Sequence, residues 1–309
     1  MRVLLLGSTG TIGVATAHAL RAAGHDVVAF GRRAPEIAGV EAVAGDVMCD
    51  WPKLRFDALV SCLASRTGAP ADAWAIDHSA HLRALNAAKA AGAGTFVLLS
   101  AICVQKPVLA FQHAKLAFER ELTASGLEYS IVRPTAYFKS LSGQVARVKA
   151  GRAFLVFGDG KLTSTKPISD DDLAAFLAGC LTDPARRGVL PIGGPGPAIT
   201  PVNQAAALSR LLGREVKIRH APVAIMHAAV AGLGGLARVS PRFAAKAEFA
   251  RIGRYYATES MLVWDDVKQT YDADATPEFG TDTLFDFYAR LTRGETRANL
   301  GEHAVFKDA

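Results

Sequence analysis

MRVLLLGSTGTIG, residues 1–13, runs a short apolar stretch into Gly7, Gly10 and Gly13. A basic residue ahead of an apolar run can also open a signal peptide, but this run meets glycine too soon for a secretory core and reads as a buried strand. Behind the glycines, Ile12, Thr16, Ala19, Leu20 and Ala23 recur at helical spacing until Gly24, which can turn left-handed and close the helix. Glycines between a strand and a helix permit a tight turn, let backbone N–H groups approach an anion and bring helix and strand close together. Gly7, Ser8, Thr9, Gly10, Thr11, Ile12 and Gly13 are therefore expected to cradle the pyrophosphate of a dinucleotide.

Outward from that junction, short apolar runs alternate with helical patterns to about residue 133. Strands are expected at Arg2–Leu6, Val27–Phe30, Ala42–Ala44, Ala58–Cys62, Thr95–Leu99 and Tyr129–Val132, with Gly92 and Gly126 after later helices as Gly24 is after the first. The pattern is that of βαβ units. It predicts an α/β fold, a Rossmann-type doubly wound parallel sheet with a smaller interleaved substrate lobe toward the C-terminus. The expected division is 1–155 for the dinucleotide domain and 156–309 mainly for the substrate side, with 167–190 packing back on the first. Ser169 and Asp172 resemble a capping box for a helix that stops before Pro184, and Thr200-Pro201 opens another that Gly213 closes. Leu190–Pro197, LPIGGPGP, is expected to be a loop, and the last residues a polar, frayed tail. Pro222–Leu236 is apolar but shorter than the roughly 20 residues of a membrane span. It is expected to be a buried helix, the alternative being a greasy surface that meets pigment, partner or membrane.

The composition narrows the function. Lys and Arg exceed Asp and Glu to give a net charge of +6, yet the basic residues are scattered, which argues for an anionic small molecule and against nucleic acid. Cys49, Cys62, Cys103 and Cys180 lie too far apart for a zinc site, an iron–sulfur cluster or a disulfide framework, so no metal site is expected and a reducing cytoplasm fits. After the second strand, Gly31 leads into Arg32 and Arg33 where an acidic residue would accept from the ribose hydroxyls of NAD. Two guanidinium groups suit the 2′-phosphate of NADPH, which is the cofactor expected; solvated surface arginines are the plain alternative. Asp46 is placed to meet the adenine edge or to form a turn.

The G-x-x-G-x-x-G spacing and strand order resemble the extended and atypical short-chain dehydrogenases. That resemblance implies a Ser after the fifth strand and a Tyr-x-x-x-Lys pair on the next helix. Ser100 stands in the first place, and Phe111-Gln-His-Ala-Lys115 in the second, so the tyrosine is missing. Lys115 can still approach the nicotinamide ribose, while Phe111, one turn away, has no proton to give. His113 faces elsewhere on the helix. Val47, Leu63, Ser100 and Pro134 are expected along the cofactor with Lys115 as the catalytic residue. Carbonyl reduction needs an acid at the developing alkoxide, whereas hydride addition to a conjugated carbon–carbon double bond depends on it less, so the loss points to ene-type reduction.

Further motifs run nearly the length of the chain: FQHAKL from Phe111, RPTAYFKSLSGQV from Arg133, FLVFGDG from Phe154, KPISDDDL from Lys166, LPIGGPGPAITP from Leu190, YATESMLVW from Tyr256 and YDADATPEFGTDTL from Tyr271. With them the chain resembles the NADPH-dependent 3,8-divinyl (proto)chlorophyllide 8-vinyl reductases. Asp266 stands where that family pattern has Pro. The resemblance implies a tetrapyrrole substrate, divinyl chlorophyllide or protochlorophyllide, and a cytoplasmic or peripherally membrane-associated protein. It makes Tyr137, Phe138, Phe154, Phe157, Met261 and Trp264 candidates for the pocket wall, with a core role open for each, and Lys139 or Lys166 for the substrate carboxylate. Two rival readings are a non-catalytic NADP-sensing regulator and a reductase or epimerase of a sugar nucleotide or phenylpropanoid. The motifs from Tyr256 onward argue against the second.

Overall fold

The computed structural model describes residues 1–297 apart from Ala34, Asp50, Pro241 and Arg242; the end of the expected polar tail, 298–309, lies outside the described residues. The strands are β1 (Arg2–Leu6), β2 (Asp26–Gly31), β3 (Val40–Ala44), β4 (Ala58–Ser61), β5 (Thr95–Leu99), β6 (Glu128–Pro134), β7 (Phe154–Phe157), β8 (Gly188–Ile192), β9 (Ile218–Ala221), β10 (Val263–Asp265) and β11 (Thr270–Asp272). The helices are α1 (Thr11–Ala22), α2 (Pro70–Ala73), α3 (His81–Ala91), α4 (Ala110–Thr123), α5 (Phe138–Leu141), α6 (Val145–Lys149), α7 (Asp170–Gly179), α8 (Pro201–Leu212), α9 (Val223–Val239), α10 (Ala244–Thr258) and α11 (Leu284–Arg293). Between α2 and α3 the chain forms a π-helical stretch, Trp74–Ala80.

By internal contact the chain forms two compact units, one of Met1–Ser65, Pro70–Pro134 and Asp170–Ile192, the other of Arg66–Ala69, Thr135–Ser169 and Gly193–Ala309. The boundary thus falls after β6 and not near residue 155. The reason is that β7 pairs with β9, in a sheet of its own, and never joins the large one.

The first unit holds a seven-stranded sheet in the order β3-β2-β1-β4-β5-β6-β8, with every pairing parallel. A parallel sheet needs helices on both faces, and its strands read as continuous apolar runs. Val3–Leu6 and Phe96–Val97 accordingly have no exposed surface, and Leu4, Leu6, Val28, Phe96, Phe118 and Ile131 share one core. Chain order reverses between β1 and β4, and the crevice outside the C-terminal ends of such strands is where doubly wound sheets bind ligands. The loop expected at Leu190–Pro197 is corrected in its first three residues, which belong to β8. As an edge strand beside β6, β8 tolerates Pro191, whose missing N–H would break an interior ladder.

In the second unit, Phe138, Val145, Val148, Phe154, Val156, Leu208, Leu284 and Tyr288 form a separate core. Tyr288 is fully buried and donates to the Leu141 carbonyl at 2.6 Å. Thr200 caps α8 by accepting from the Asn203 amide, and Gly213 ends it at φ +62°, as the Thr-Pro and Gly pattern predicts. The expectation of a buried helix at 222–236 is overturned. α9 packs along α10, where Gly253 leaves room for the Met226 methyl, but Ile225 and Leu236 are 58% and 48% exposed. One neighbouring helix covers one face of a helix that is apolar all round.

Candidate cofactor and active site

The β1–α1 turn is built so tightly that two of its glycines are obligatory. Gly7 has φ +76°, and a Cβ there would lie 2.5 Å from the Cys62 carbonyl carbon at the end of β4. A Cβ on Gly13 would lie 2.1 Å from the Gly7 oxygen, so the first turn of α1 can sit on the end of β1 only without a side chain. Gly10 differs: its nearest neighbour, the Gly7 oxygen, would be 3.5 Å from an added Cβ. Gly10 occupies the N-cap, no side chain caps the helix, and no acidic residue stands in its first turn. Thr9 and Gly10 are exposed, while Ser8 and Ile12 are buried. An uncapped helix start, with its positive dipole end open to solvent, is the surface a pyrophosphate requires. The cradle therefore fits a dinucleotide.

Arg32 and Arg33 follow β2 and are exposed. Asp46 accepts from the Met48 amide at 2.8 Å, so it does form the turn the sequence left open; Val47 beside it is buried and Leu63 half-buried. Ser100, expected along the cofactor, is buried. Its hydroxyl donates to Glu119 Oε1 at 2.5 Å and its amide to the Val132 carbonyl, so both its polar hydrogens serve the interior. Pro134, at the end of β6, is buried.

α4 carries an unusual stripe of buried polar side chains, Gln112, Lys115 and Glu119, at helical spacing. Gln112 accepts from the Val108 and Leu109 amides and donates to the Cys103 carbonyl. Glu119 receives Ser100 and pairs with Arg133. The Lys115 ammonium lies 3.0 Å from Asp77 Oδ1, in an ion pair whose partners are 8% and 1% exposed. Phe111 is half-buried one turn earlier, and His113 is exposed on another side of the helix. Next to the pair, His81 Nδ1 lies 2.9 Å from the Ile76 carbonyl, which can only accept, so Nδ1 carries the proton and Nε2 accepts from the Ser61 hydroxyl at 2.8 Å. Burial, with the Lys115 charge adding to it, pushes the His81 pKa down to about 4, so the ring is neutral at pH 7.

Sequence reasoning missed Asp77, His81 and Glu119. Glu119 was findable as the residue four beyond Lys115 on one helix face. Asp77 had no such signal, because its approach to Lys115 depends on a π-helical turn and on how two distant segments pack.

The candidate substrate residues belong to the second unit. Tyr137 is half-buried and bridges to Ile168, while Met261 is buried and bridges to Thr165, which places both along the segment 165–168. Trp264 is half-buried, with its ring edge-on to Tyr271 at 4.9 Å. Phe157 is half-buried at the end of β7. Phe138 and Phe154 are core residues, Phe138 packing on Phe287. Lys139 is half-buried. The Lys166 ammonium is held by Glu278 at 2.6 Å, which occupies the group expected to meet a substrate carboxylate.

Residues 7–184 match a family described as NAD(P)H-binding. The divinyl chlorophyllide a 8-vinyl-reductase of Oryza sativa subsp. indica is 47% identical over 98% of this chain and 82% of its own length, and that of Arabidopsis thaliana is 44% identical over 98% and 79%. The chain belongs to the divinyl chlorophyllide a 8-vinyl-reductase family. Both of those relatives are chloroplastic. Among solved structures, an NADPH-dependent quinone oxidoreductase from Escherichia coli, complexed with NADPH, matches with a TM-score of 0.64 at 19% identity over 94% of this chain and 99% of that one. A nucleoside-diphosphate-sugar epimerase from Staphylococcus aureus matches with a TM-score of 0.64 at 18% identity over 94% and 100%. At such identities these structures show the fold alone, and nothing of the substrate.

Proposed function

We propose that the chain reduces the 8-vinyl group of a divinyl chlorophyllide to an ethyl group with NADPH. The observation that carries this reading is on α4, where Lys115 is buried and charge-paired while Phe111, one turn away, offers no phenol. A carbonyl substrate would leave its forming alkoxide without an acid at that position, whereas a vinyl group conjugated to a macrocycle spreads the developing charge into its own ring system. The names of the relatives supply the substrate class.

When bound, NADPH supplies the hydride. The first turn of α1 would hold the pyrophosphate, Arg32 and Arg33 would hold the 2′-phosphate, and Asp46 and Val47 would flank the adenine. Leu63, Lys115 and Pro134 would border the nicotinamide half, with Lys115 orienting it. Tyr137, Phe157, Met261 and Trp264 offer apolar surface to the macrocycle. One hydride and one proton add across the vinyl bond, the proton coming from water or an acid, so the product gains two hydrogens.

Incubation with divinyl chlorophyllide and either NADPH or NADH tests the proposal. With NADPH, the Soret band should shift to the blue, mass spectrometry should show two added hydrogens, and deuterium from NADPD should appear in the ethyl group. The double variant Arg32→Ala, Arg33→Ala should lose roughly ten-fold or more of its preference for NADPH, the worth of a charge-assisted phosphate contact. Normal NADPH binding with neither a shift nor label transfer would overturn the catalytic reading in favour of NADP sensing.

We also infer that α9 and α10 rest on an anionic lipid surface. No described helix is long and apolar enough to cross a membrane. α9 contains no Asp or Glu, and its exposed Ile225 and Leu236 are joined on α10 by exposed Phe249 and Tyr256. Arg238 and Lys246 are exposed on the same two helices, as is Arg251, which pairs with the buried Glu248. Apolar and aromatic residues flanked by cations are the composition of an interfacial helix.

A further inference from the structure

Within the second unit, the motifs that begin at Lys166, Leu190, Tyr256 and Tyr271 converge on one charge pair. Gly193 and Gly194 press against the backbone of Lys166 and Pro167 so closely that a Cβ on Gly194 would lie 2.0 Å from the Pro167 oxygen. Lys166 is buried under that contact, and its ammonium reaches Glu278 Oε1 at 2.6 Å and the Thr276 carbonyl at 3.4 Å. The other Glu278 oxygen accepts from the Gly196 amide at 3.0 Å. Thr276 is buried too, and its hydroxyl ties the base of the β10–β11 hairpin by accepting from the Val263 amide and donating to the Asp272 carbonyl. Thr165 meets Met261, Tyr137 meets Ile168 and Gly193 meets Glu278 through isolated bridges, so no continuous ladder fixes these segments. The side chain of Lys166 is 7% exposed and that of Glu278 43%. Burial costs such a lysine much of what a half-solvated partner returns, so the pair is better suited to specify an arrangement than to add stability.

We propose that Lys166 is the positioning residue of the pigment-binding wall, acting through Glu278 and Thr276. It holds the hairpin that carries Trp264 on the segment 165–168, to which Tyr137 and Met261 are bridged. The inference rests on the chlorophyllide reading of that wall, and it gives Lys166 a task other than meeting the substrate carboxylate. An ammonium suits the task because its several donors serve both acceptors of the C-terminal segment at once. Glu278 brings two acceptor oxygens to two donors, the Lys166 ammonium and the Gly196 amide, a match that a glutamine amide cannot make because one of its ends donates. Contact with a flat, rigid macrocycle falls steeply with distance, a gap of about 0.5–1 Å forfeiting roughly a quarter to a half of the dispersion attraction. A wall assembled from separate segments therefore needs a device that fixes them against one another.

Steady-state kinetics of the full chain with divinyl chlorophyllide and with its carboxylate methyl ester, beside NADPH titrations, test the assignment. Lys166→Met should lower kcat/KM about ten-fold or more, chiefly by raising KM, while NADPH binds as in wild type. The loss should be equal for the acid and the ester. A loss confined to the acid would show Lys166 meeting the carboxylate directly and would overturn the positioning role, as would a wild-type KM in the variant. Glu278→Gln, made on an exposed side chain, should shift KM in the same direction, and the double variant should lose no more than the worse single one, because the pair acts as a unit. Losses that multiply in the double variant would overturn the pairing. Collapse of NADPH binding together with turnover in both single variants would make the pair a support of the whole fold and overturn its link to the pigment. If wild type binds NADPH but neither binds nor reduces the pigment, the chlorophyllide reading itself fails, and the positioning role with it.

Discussion

At the scale of the residue, Gly10 and Gly13 answer different demands in one turn. Gly13 is a packing requirement, since a methyl there would occupy the place of the Gly7 oxygen, whereas Gly10 has ordinary van der Waals room and φ −79°, a conformation any residue adopts. Gly13→Ala should therefore lower stability by about 1–3 kcal/mol or more, as overpacking does, and abolish NADPH binding. Gly10→Ala should cost roughly 1 kcal/mol or less and weaken NADPH alone, by crowding the backbone's approach to the pyrophosphate. Thermal melts and NADPH titrations of the two variants check this. Similar losses of stability in both would show that the turn, and not the ligand, dictates Gly10. The same contrast between structural and chemical demand separates Ser100, whose hydrogens are spent on Glu119 and Val132, from Lys115, which the Asp77 carboxylate holds within the polar stripe.

At the scale of the element, α9 shows how composition and role can part. An apolar helix usually signals burial, yet no side chain described along α9 is buried, so its substitution should barely touch the fold. Ile225→Lys with Leu236→Lys should leave the melting temperature within a degree or two of wild type. If α9 rests on an anionic bilayer, wild type should float with vesicles containing about 30% phosphatidylglycerol, remain behind with neutral ones, and lose flotation in the double variant. Flotation of the variant equal to wild type would remove the lipid assignment. α11 is the contrasting case, because Tyr288 is fully buried and tied to Leu141, so that helix is anchored where α9 is displayed.

At the scale of the whole molecule, the buried polar network makes stability depend on pH in a definite direction. His81 is held neutral with its pKa lowered to about 4, while in the unfolded chain it titrates near its ordinary 6.5. Below pH 6.5 the unfolded state therefore binds a proton that the folded state refuses. The contribution is complete above that pH and drains away toward pH 4. Between pH 7 and pH 5 the loss should approach about 2 kcal/mol, and denaturant midpoints should fall less steeply in His81→Gln than in wild type. Parallel slopes would mean that His81 is protonated as readily inside as outside. Much of this molecule was legible in its sequence: six strands, the glycine turn, the caps at Thr200 and Gly213, and the family motifs, all of which depend on neighbours close in the chain. Pro191 misled because an edge strand forgives what an interior strand cannot, a distinction made only when β8 finds its place beside β6. The resemblance to the short-chain dehydrogenases singled out Lys115 and the tyrosine missing at Phe111, and helical spacing then put the two on one helix face. The tertiary structure alone decided that Asp77 meets Lys115, that Glu119 takes up Ser100, and that α9 faces outward. Each of these depends on which distant segment, if any, comes to lie against a given side chain, and no spacing along the chain encodes that.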